Sequence, residues 1–227
     1  SEGVESELDS ILREYISEID LRLIEVGWSL LPNKSVEYGK VDQSMLNHTR
    51  NLVYFLHQLA QQVENTELPS ITPKKFRHLV ALAVAHDYHK LREEDENPDK
   101  RFDIKNKELE PFIEEIGLDE FSRVPDDPDS ALSVRTFRSC AVDHHETKNA
   151  NSTRVTTTWR EYRPLIRLAD AMASSTTPET ATNARVQDRF REAFPSGNVE
   201  LAYHRTDQVS GIFTNLLNKA VSEYLQE

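Results

Sequence analysis

The fold of this chain is decided by one stretch, residues 76–91, which reads FRHLVALAVAHDYHKL. Its apolar residues recur three and four positions apart, as they do on the buried face of an α-helix. Leu79 and Leu82 lead along this face to His86, and Asp87 follows directly. A buried carboxylate costs several kcal/mol unless a cation compensates it. The stretch therefore predicts a core helix that ends at a charged site.

The same periodicity recurs along the chain and predicts a mainly α fold. Prolines and cap-forming residues agree with it at Asp42, Thr72-Pro73, Asp127-Pro128 and Pro178-Glu179, each of which precedes a predicted helix. One short β element is expected near residues 199–205, and the segments 93–107 and 148–158 are read as loops. The predicted helices are Leu8–Leu31, Met45–Val63, Phe76–Leu91, Leu109–Ile116, Leu132–His145, Tyr162–Ala173, Val186–Phe194 and Ile212–Leu225.

The length and composition predict one soluble domain over residues 1–227, with residues 196–227 as a possible small appendage. The first residue is Ser1, which leaves open that the domain was excised from a larger subunit. No apolar run reaches the roughly 18 residues of a membrane span, so no membrane partner is expected and a cytoplasmic location is predicted. Cys140 is the only cysteine, which excludes a disulfide and any zinc site built from several cysteines.

The net charge of -12 at first argues against a nucleic-acid partner. The charge is unevenly distributed, however. Residues 91–129 carry fifteen acids against six bases, whereas residues 130–170 carry seven bases against four acids. One stretch is therefore locally basic, although solvated helix arginines remain the alternative reading of its side chains.

Histidines and aspartates fall on the apolar faces of four predicted helices. His48 lies between Met45 and Leu52 at helical spacing, and Asp170 follows Ile166 by four residues. The fifth predicted helix ends with a histidine pair, His144 and His145. One buried histidine is usually a hydrogen-bonded core residue, but a shared divalent cation would use these imidazoles and both buried carboxylates at once. His57, nine residues after His48, lies on the opposite face of the same predicted helix and is expected to point away from His48.

The order His48, His86-Asp87, His144-His145, Asp170 in a helical chain resembles the HD superfamily of metal-dependent phosphohydrolases. That resemblance implies an HD-type helical bundle. A narrower resemblance is to the N-terminal HD nuclease domain in the large subunit of type I-D CRISPR effector complexes. It is carried by the segments 42–48, 85–90, 203–205 and 211–215. The usual HD turn has glycine where this chain has His89.

The resemblance implies one or two divalent ions as cofactors, of Mn, Ni, Co, Fe, Zn or Mg. His48, His86, Asp87 and Asp170 would hold the first ion, and Asp87 would bridge to a second ion on His144 and His145. Asp87, His89 and Lys90 are the expected catalytic group, with a surface lysine and a capping histidine as the alternative for the last two. The expected nucleic-acid contacts are Arg135, Arg138, Arg160, Arg163 and Arg167.

Three functions follow as hypotheses. The first is a metal-dependent hydrolase that cleaves phosphodiester bonds in DNA, most readily single-stranded DNA, during CRISPR antiviral interference with the other subunits of an effector complex. The second is an HD phosphohydrolase that acts on nucleotides or cyclic dinucleotides. The third is a catalytically silent scaffold domain. An open arginine-lined groove would favour the first, and a closed pocket would favour the second.

Overall fold

The computed structural model describes residues 6–31, 44–64, 66–88, 109–145, 155–174 and 184–195. Within these ranges the chain is mainly helical and contains no strand, so the predicted fold class is confirmed. Outside the described residues lie the expected β element near 199–205, the helix predicted at 212–225 and the whole appendage 196–227. None of the described helices is both long and apolar enough to cross a membrane.

The described chain contains nine α-helices, one π-helical segment and two 3₁₀ turns. The π-helical segment Tyr15–Asp20 joins α1 to α2, and short 3₁₀ turns at Trp28–Leu30 and Pro128–Ser130 precede later helices. The α-helices are α1 (Glu7–Glu14), α2 (Leu21–Glu25), α3 (Met45–Val63), α4 (Pro73–Ala85), α5 (109–116), α6 (Leu118–Ser122), α7 (Val134–Asp143), α8 (Thr157–Ala173) and α9 (Ala184–Ala193).

Helix α4 lies at the centre of the fold, where it packs against α1, α3, α6, α7 and α8. Every residue from Phe76 to Ala85 is buried. Neighbouring helices therefore cover this part of α4 on every side, including its polar residues Arg77 and His78. Its end, which carries His86 and Asp87, is therefore held among the neighbouring helices.

The first helical region ends earlier than its periodicity predicts. The sequence suggests one helix over Leu8–Leu31, but α2 ends at Glu25 and Gly27 adopts a left-handed conformation with φ of 87°. A residue with a Cβ is strained at this φ, whereas glycine is not, so the chain turns here. The π-helical segment is a second departure, and it turns Asp20 into the protein interior.

Two helix starts also differ from the prediction. Asp127-Pro128 begins only a 3₁₀ turn, and α7 starts after Ser133, whose side chain accepts a hydrogen bond from the Thr136 amide. Helix α8 begins at Thr157 and not at Tyr162, because Thr156 caps it and Pro164 is accommodated inside it. Residues 157–161 contain one apolar residue, Trp159, which is why the apolar spacing suggested a later start.

Candidate metal centre

Three helices, α3, α4 and α8, bring His48, His86, Asp87 and Asp170 into one buried cluster. Their ligand atoms all lie within 4.8 Å of one another. Nε2 of His48 lies 3.2 Å from Nε2 of His86 and 3.1 Å from Oδ1 of Asp170. Oδ2 of Asp87 lies 3.2 Å from Nε2 of His86 and 3.5 Å from Nε2 of His48. These residues, which we call the primary cluster, are separated by up to 122 positions in sequence and converge only in the fold.

Helix C-termini position His86 and Asp170 of the primary cluster and also the neighbouring His144. His86 is the C-cap of α4, His144 is the C-cap of α7, and Asp170 lies in the last turn of α8. The C-terminus of an α-helix carries a partial negative charge, so three helix ends raise the affinity of this region for a cation. His48 comes from the first turns of α3, which runs the opposite way.

Backbone hydrogen bonds orient two of the imidazoles. Nδ1 of His86 donates to the carbonyl of Ala83, and Nδ1 of His144 donates to the carbonyl of Cys140 at 2.8 Å. A ring nitrogen that donates in this way leaves Nε2 of the neutral ring as a lone-pair acceptor. Both Nε2 atoms face carboxylate oxygens, which are acceptors. Each contact therefore needs either a proton on Nε2 or a cation between the two groups.

The charges of the cluster also favour the binding of a cation. Burial lowers the pKa of His86, but the carboxylates of Asp87 and Asp170 outweigh burial and raise it to about 10. Burial raises the pKa values of both aspartates, but the facing imidazoles outweigh it and hold these pKa values well below the ordinary range. Burial lowers the pKa of His48. The protein thus holds two buried carboxylates against one protonated imidazole, a deficit of one positive charge within the primary cluster.

The spacing of the primary cluster fits a metal ion. Two ligands about 2.1 Å from one ion lie about 3.0–3.4 Å apart at octahedral to tetrahedral angles. Four contacts of 3.1–3.5 Å link the imidazole nitrogens to each other and to the carboxylates. Imidazole with carboxylate suits Mn, Fe, Co, Ni or Zn better than Mg. The primary cluster could therefore hold a divalent metal ion.

A second group shares Asp87 with the first. Oδ1 of Asp87 faces Nε2 of His144 at 3.4 Å and Nε2 of His145 at 3.8 Å, and these three residues also meet the spacing of a metal site. Burial lowers the pKa of His144 to about 4, which keeps its ring neutral. The side chain of His145 is 50% exposed, so this group opens toward solvent. His89 and Lys90, the other expected catalytic residues, lie outside the described residues.

The prediction that five arginines contact nucleic acid is wrong for two of them. Arg163 and Arg167 are buried, and a buried guanidinium does not meet a nucleic-acid strand. Nε of Arg163 donates to Oδ2 of Asp143 at 2.8 Å, and Nη1 of Arg167 donates to the carbonyl of His144 at 2.7 Å. The pattern misled because α8 is covered by α9, which the spacing of α8 does not reveal. Arg135 and Arg160 are exposed and Arg138 is partly buried.

We call this buried network the arginine clamp. Nε1 of Trp159 also donates to Oδ2 of Asp143, at 2.7 Å, and Nη1 of Arg163 donates to Glu192 on α9 at 3.2 Å. The clamp ties α8 and α9 to the end of α7, next to the ligand His144. Its members are Asp143, Trp159, Arg163, Arg167 and Glu192.

The remaining aromatic and histidine residues pack within the fold. Trp159 is fully buried, so it does not stack on bases. His57 faces away from the primary cluster, as predicted, and contacts Asp9 through Nε2 at 2.8 Å. His78 contacts the Tyr162 hydroxyl through Nδ1 at 2.8 Å. Cys140 is a buried core residue.

Sequence reasoning missed Arg185, which lies beside the primary cluster. Its Nη2 is 3.9 Å from Oδ2 of Asp170. The available signal was its position one residue before Val186, at the start of a predicted helix that the search for histidines and aspartates did not include. Comparisons with models of protein families, with curated proteins and with solved structures found no match to this chain.

Proposed function

We propose that this protein is a divalent-metal-dependent phosphodiesterase, and more narrowly a nuclease that cleaves DNA. One observation carries the proposal: two buried aspartates face imidazole nitrogens across the primary cluster, at metal-ligand spacing. The ordered set of His48, His86-Asp87 and Asp170, with its resemblance to the HD superfamily, supports phosphoester hydrolysis over other metal chemistry. A role in CRISPR interference, within an effector complex, follows from the narrower resemblance.

The chain contributes a preformed set of ligands. Ala83 and Cys140 fix the ring orientations of His86 and His144, so little reorganisation is needed when a cation binds. A divalent ion, when bound, polarises a phosphate and promotes ionisation of water. The exposed His145 marks the open side, from which a phosphodiester could approach.

The buried ligands argue against a silent scaffold. Asp87 and Asp170 are both buried, and carboxylates without a full counter-charge reduce the stability of the metal-free fold. A domain that only docks other subunits gains nothing from this arrangement. The cost is offset if metal binding contributes to the stability of the folded state.

One observation favours a smaller substrate as the second candidate. Arg163 and Arg167 are taken up by the arginine clamp, which leaves fewer cations to receive a long strand, and the chain carries a net charge of -12. A nucleotide or cyclic dinucleotide needs fewer phosphate contacts than a DNA strand does. We therefore rank DNA first on the resemblance and keep the nucleotide as an arm of the test.

The test incubates the purified chain and Mn²⁺ or Ni²⁺ with end-labelled single-stranded DNA, and in parallel with a nucleoside triphosphate and a cyclic dinucleotide. His48→Ala and Asp87→Ala should abolish cleavage. His57→Ala is the matched control for His48→Ala, because both histidines are buried on α3 and only His48 faces the cluster.

Three results are informative. Cleavage of DNA that requires His48 and Asp87 but not His57 supports the nuclease. Hydrolysis of the small substrates alone makes the second candidate correct. If neither class of substrate is cleaved, or if cleavage survives both substitutions, the enzymatic proposal is wrong. Circular dichroism of each variant verifies that the fold is retained.

A further inference from the structure

Arg185 lies on the side of the primary cluster that faces solvent. Its Nη2 is 3.9 Å from Oδ2 of Asp170, whereas Oδ1 of the same carboxylate faces Nε2 of His48 at 3.1 Å. The Arg185 side chain is 47% exposed and that of Asp170 only 6%. One oxygen of Asp170 therefore belongs to the cluster, and the other lies near a guanidinium that reaches solvent.

The contact between Arg185 and Asp170 differs from the structural ion pairs of this protein. At 3.9 Å it exceeds the length of a hydrogen bond. Arg163, by comparison, is 9% exposed and donates to Asp143 at 2.8 Å. An arginine that serves to neutralise a buried carboxylate is expected to resemble Arg163. Arg185 instead makes a longer contact with Asp170, and its half-exposed guanidinium can be reached from solvent.

The packing of α9 fixes where Arg185 can reach. Val186, Phe190 and Phe194 are buried and follow one another at helical spacing, which anchors α9. Helix α9 packs on α8, the helix that carries Asp170. Arg185 is adjacent to the anchored Val186 and stands in the first turn of α9, so its guanidinium is confined to the rim of the cluster.

The charges at this rim match an oxyanion. A divalent ion in the primary cluster would balance the carboxylates of Asp87 and Asp170, and Arg185 would then add a positive charge beside the bound ion. A phosphodiester carries one negative charge on its non-bridging oxygens. Guanidinium groups bind such oxygens through charge-assisted hydrogen bonds, often as a pair.

We propose that Arg185 binds a non-bridging phosphate oxygen of the substrate at the open side of the metal centre. The inference rests on the proposed function, because it takes the substrate to be a phosphoester held beside a metal ion. It assigns to α9 a part in substrate recognition. It gives this role to a half-exposed arginine in place of Arg163 and Arg167, which are buried.

The test compares Arg185→Gln and Arg185→Lys with the control Arg191→Gln. Arg191 is also an exposed arginine of α9, and it pairs with Asp188. Calorimetry measures the affinity of each protein for Mn²⁺ alone. It then measures the affinity of the Mn²⁺-loaded protein for thymidine 5′-monophosphate, with thymidine as the ligand that lacks the phosphate. Cleavage of single-stranded DNA is measured in parallel.

We expect Arg185→Gln to weaken the binding of thymidine 5′-monophosphate by about 10- to 100-fold, the range for a charged hydrogen bond. Its affinity for Mn²⁺ should equal or exceed that of the wild type, because a positive charge near Asp170 is removed. Arg185→Lys should recover part of the binding, since lysine keeps the charge but not the fork of donors. Arg191→Gln should behave as the wild type.

The outcomes separate the two proposals. Unchanged binding of thymidine 5′-monophosphate in Arg185→Gln, or a matching loss of Mn²⁺ affinity, overturns the role of Arg185 and marks it as a structural partner of Asp170. Arg185-dependent binding without cleavage of any phosphodiester supports the role and contradicts the proposed function. A wild-type protein that binds no Mn²⁺ overturns both.

Discussion

Two neighbouring regions of this protein bury carboxylates and neutralise them in different ways. In the arginine clamp, Asp143 accepts hydrogen bonds from Arg163 and Trp159 at 2.8 and 2.7 Å. In the primary cluster, Asp87 and Asp170 face imidazole nitrogens at 3.1–3.6 Å. The first region contains permanent cations and directed donors. The second contains imidazoles, which supply a donor to a carboxylate only when they are protonated.

The difference distinguishes a structural site from a ligand site. A guanidinium is always charged and supplies its own donors, so the clamp is complete without any added group. An imidazole is a donor or an acceptor according to its protonation, so the cluster must take up a proton or a metal ion. The buried Asp20, which accepts hydrogen bonds of 2.8 and 2.7 Å from the partly buried Arg50, belongs to the first kind. The following predictions test this comparison.

The largest effect is expected from breaking the clamp. Arg163→Met should lower the free energy of unfolding by about 3–5 kcal/mol, because it leaves Asp143 buried without its cation. Urea unfolding in the presence of a chelator measures this change. The number of metal ions bound per chain should stay that of the wild type. A loss below about 1 kcal/mol would contradict the view that the clamp is structural.

The next effect belongs to the primary cluster. A divalent ion at 100 times its dissociation constant should stabilise the fold by about 2.7 kcal/mol. For a chain of this size, that corresponds to a rise in Tm of about 5–10 °C. Asp87→Asn should abolish the rise and weaken metal binding at least about 100-fold, because a shared ligand is lost. Thermal melts with metal and with chelator measure it, and a rise that survives in Asp87→Asn would place the ion elsewhere.

A smaller effect should show that the clamp acts as one network. Arg167→Met removes a charged hydrogen bond to the carbonyl of His144 and should cost about 1.5–3 kcal/mol of the free energy of unfolding. Arg163 and Arg167 both contact Glu192, at 3.2 and 3.6 Å. The double variant should therefore lose less than the sum of the single losses in a double-mutant cycle. Additive losses would mean that the two arginines act independently.

The smallest effect concerns a histidine outside both regions. Burial lowers the pKa of His78 in the folded state, despite its contact with the carbonyl of Ser130. The unfolded chain then takes up a proton more readily, so the stability contribution is complete above about pH 6.5 and declines as the pH falls below it. His78→Asn should flatten the fall in unfolding free energy between pH 7 and pH 5.5. An equal fall in both proteins, measured with chelator present, would contradict this.

The periodicity of the sequence predicted the helices that pack on all sides better than those at the edge. Met45–Val63 is correct at both ends, and α4 begins at the predicted Thr72-Pro73. In the first helical region Gly27 ends what the apolar spacing alone would continue, and α8 begins five residues before its predicted start at Tyr162. Residues 157–161 contain one apolar residue, Trp159, so the apolar spacing gave no sign of this first turn.

The candidate ligands were also predictable, because a carboxylate or imidazole on an apolar face is visible in the sequence. The partners of the arginines were not. Arg163 and Arg167 lie on a helix whose spacing gives no sign that α9 covers them. Arg185 escaped notice because an arginine at the start of a helix has no distinctive pattern. Its proximity to Asp170 arises from the packing of α9 on α8.

The sequence by itself determined that the chain is helical and that particular histidines and aspartates lie on buried faces, because helical periodicity is a local property of the chain. The tertiary structure decided which of these side chains meet. It also decided which carboxylates accept hydrogen bonds from a guanidinium and which lie against imidazole nitrogens. Those outcomes depend on distances between helices far apart in sequence. The physical reason is that a charge is neutralised by what lies within a few ångströms of it, and only the packing of α3, α4, α7, α8 and α9 brings those groups together.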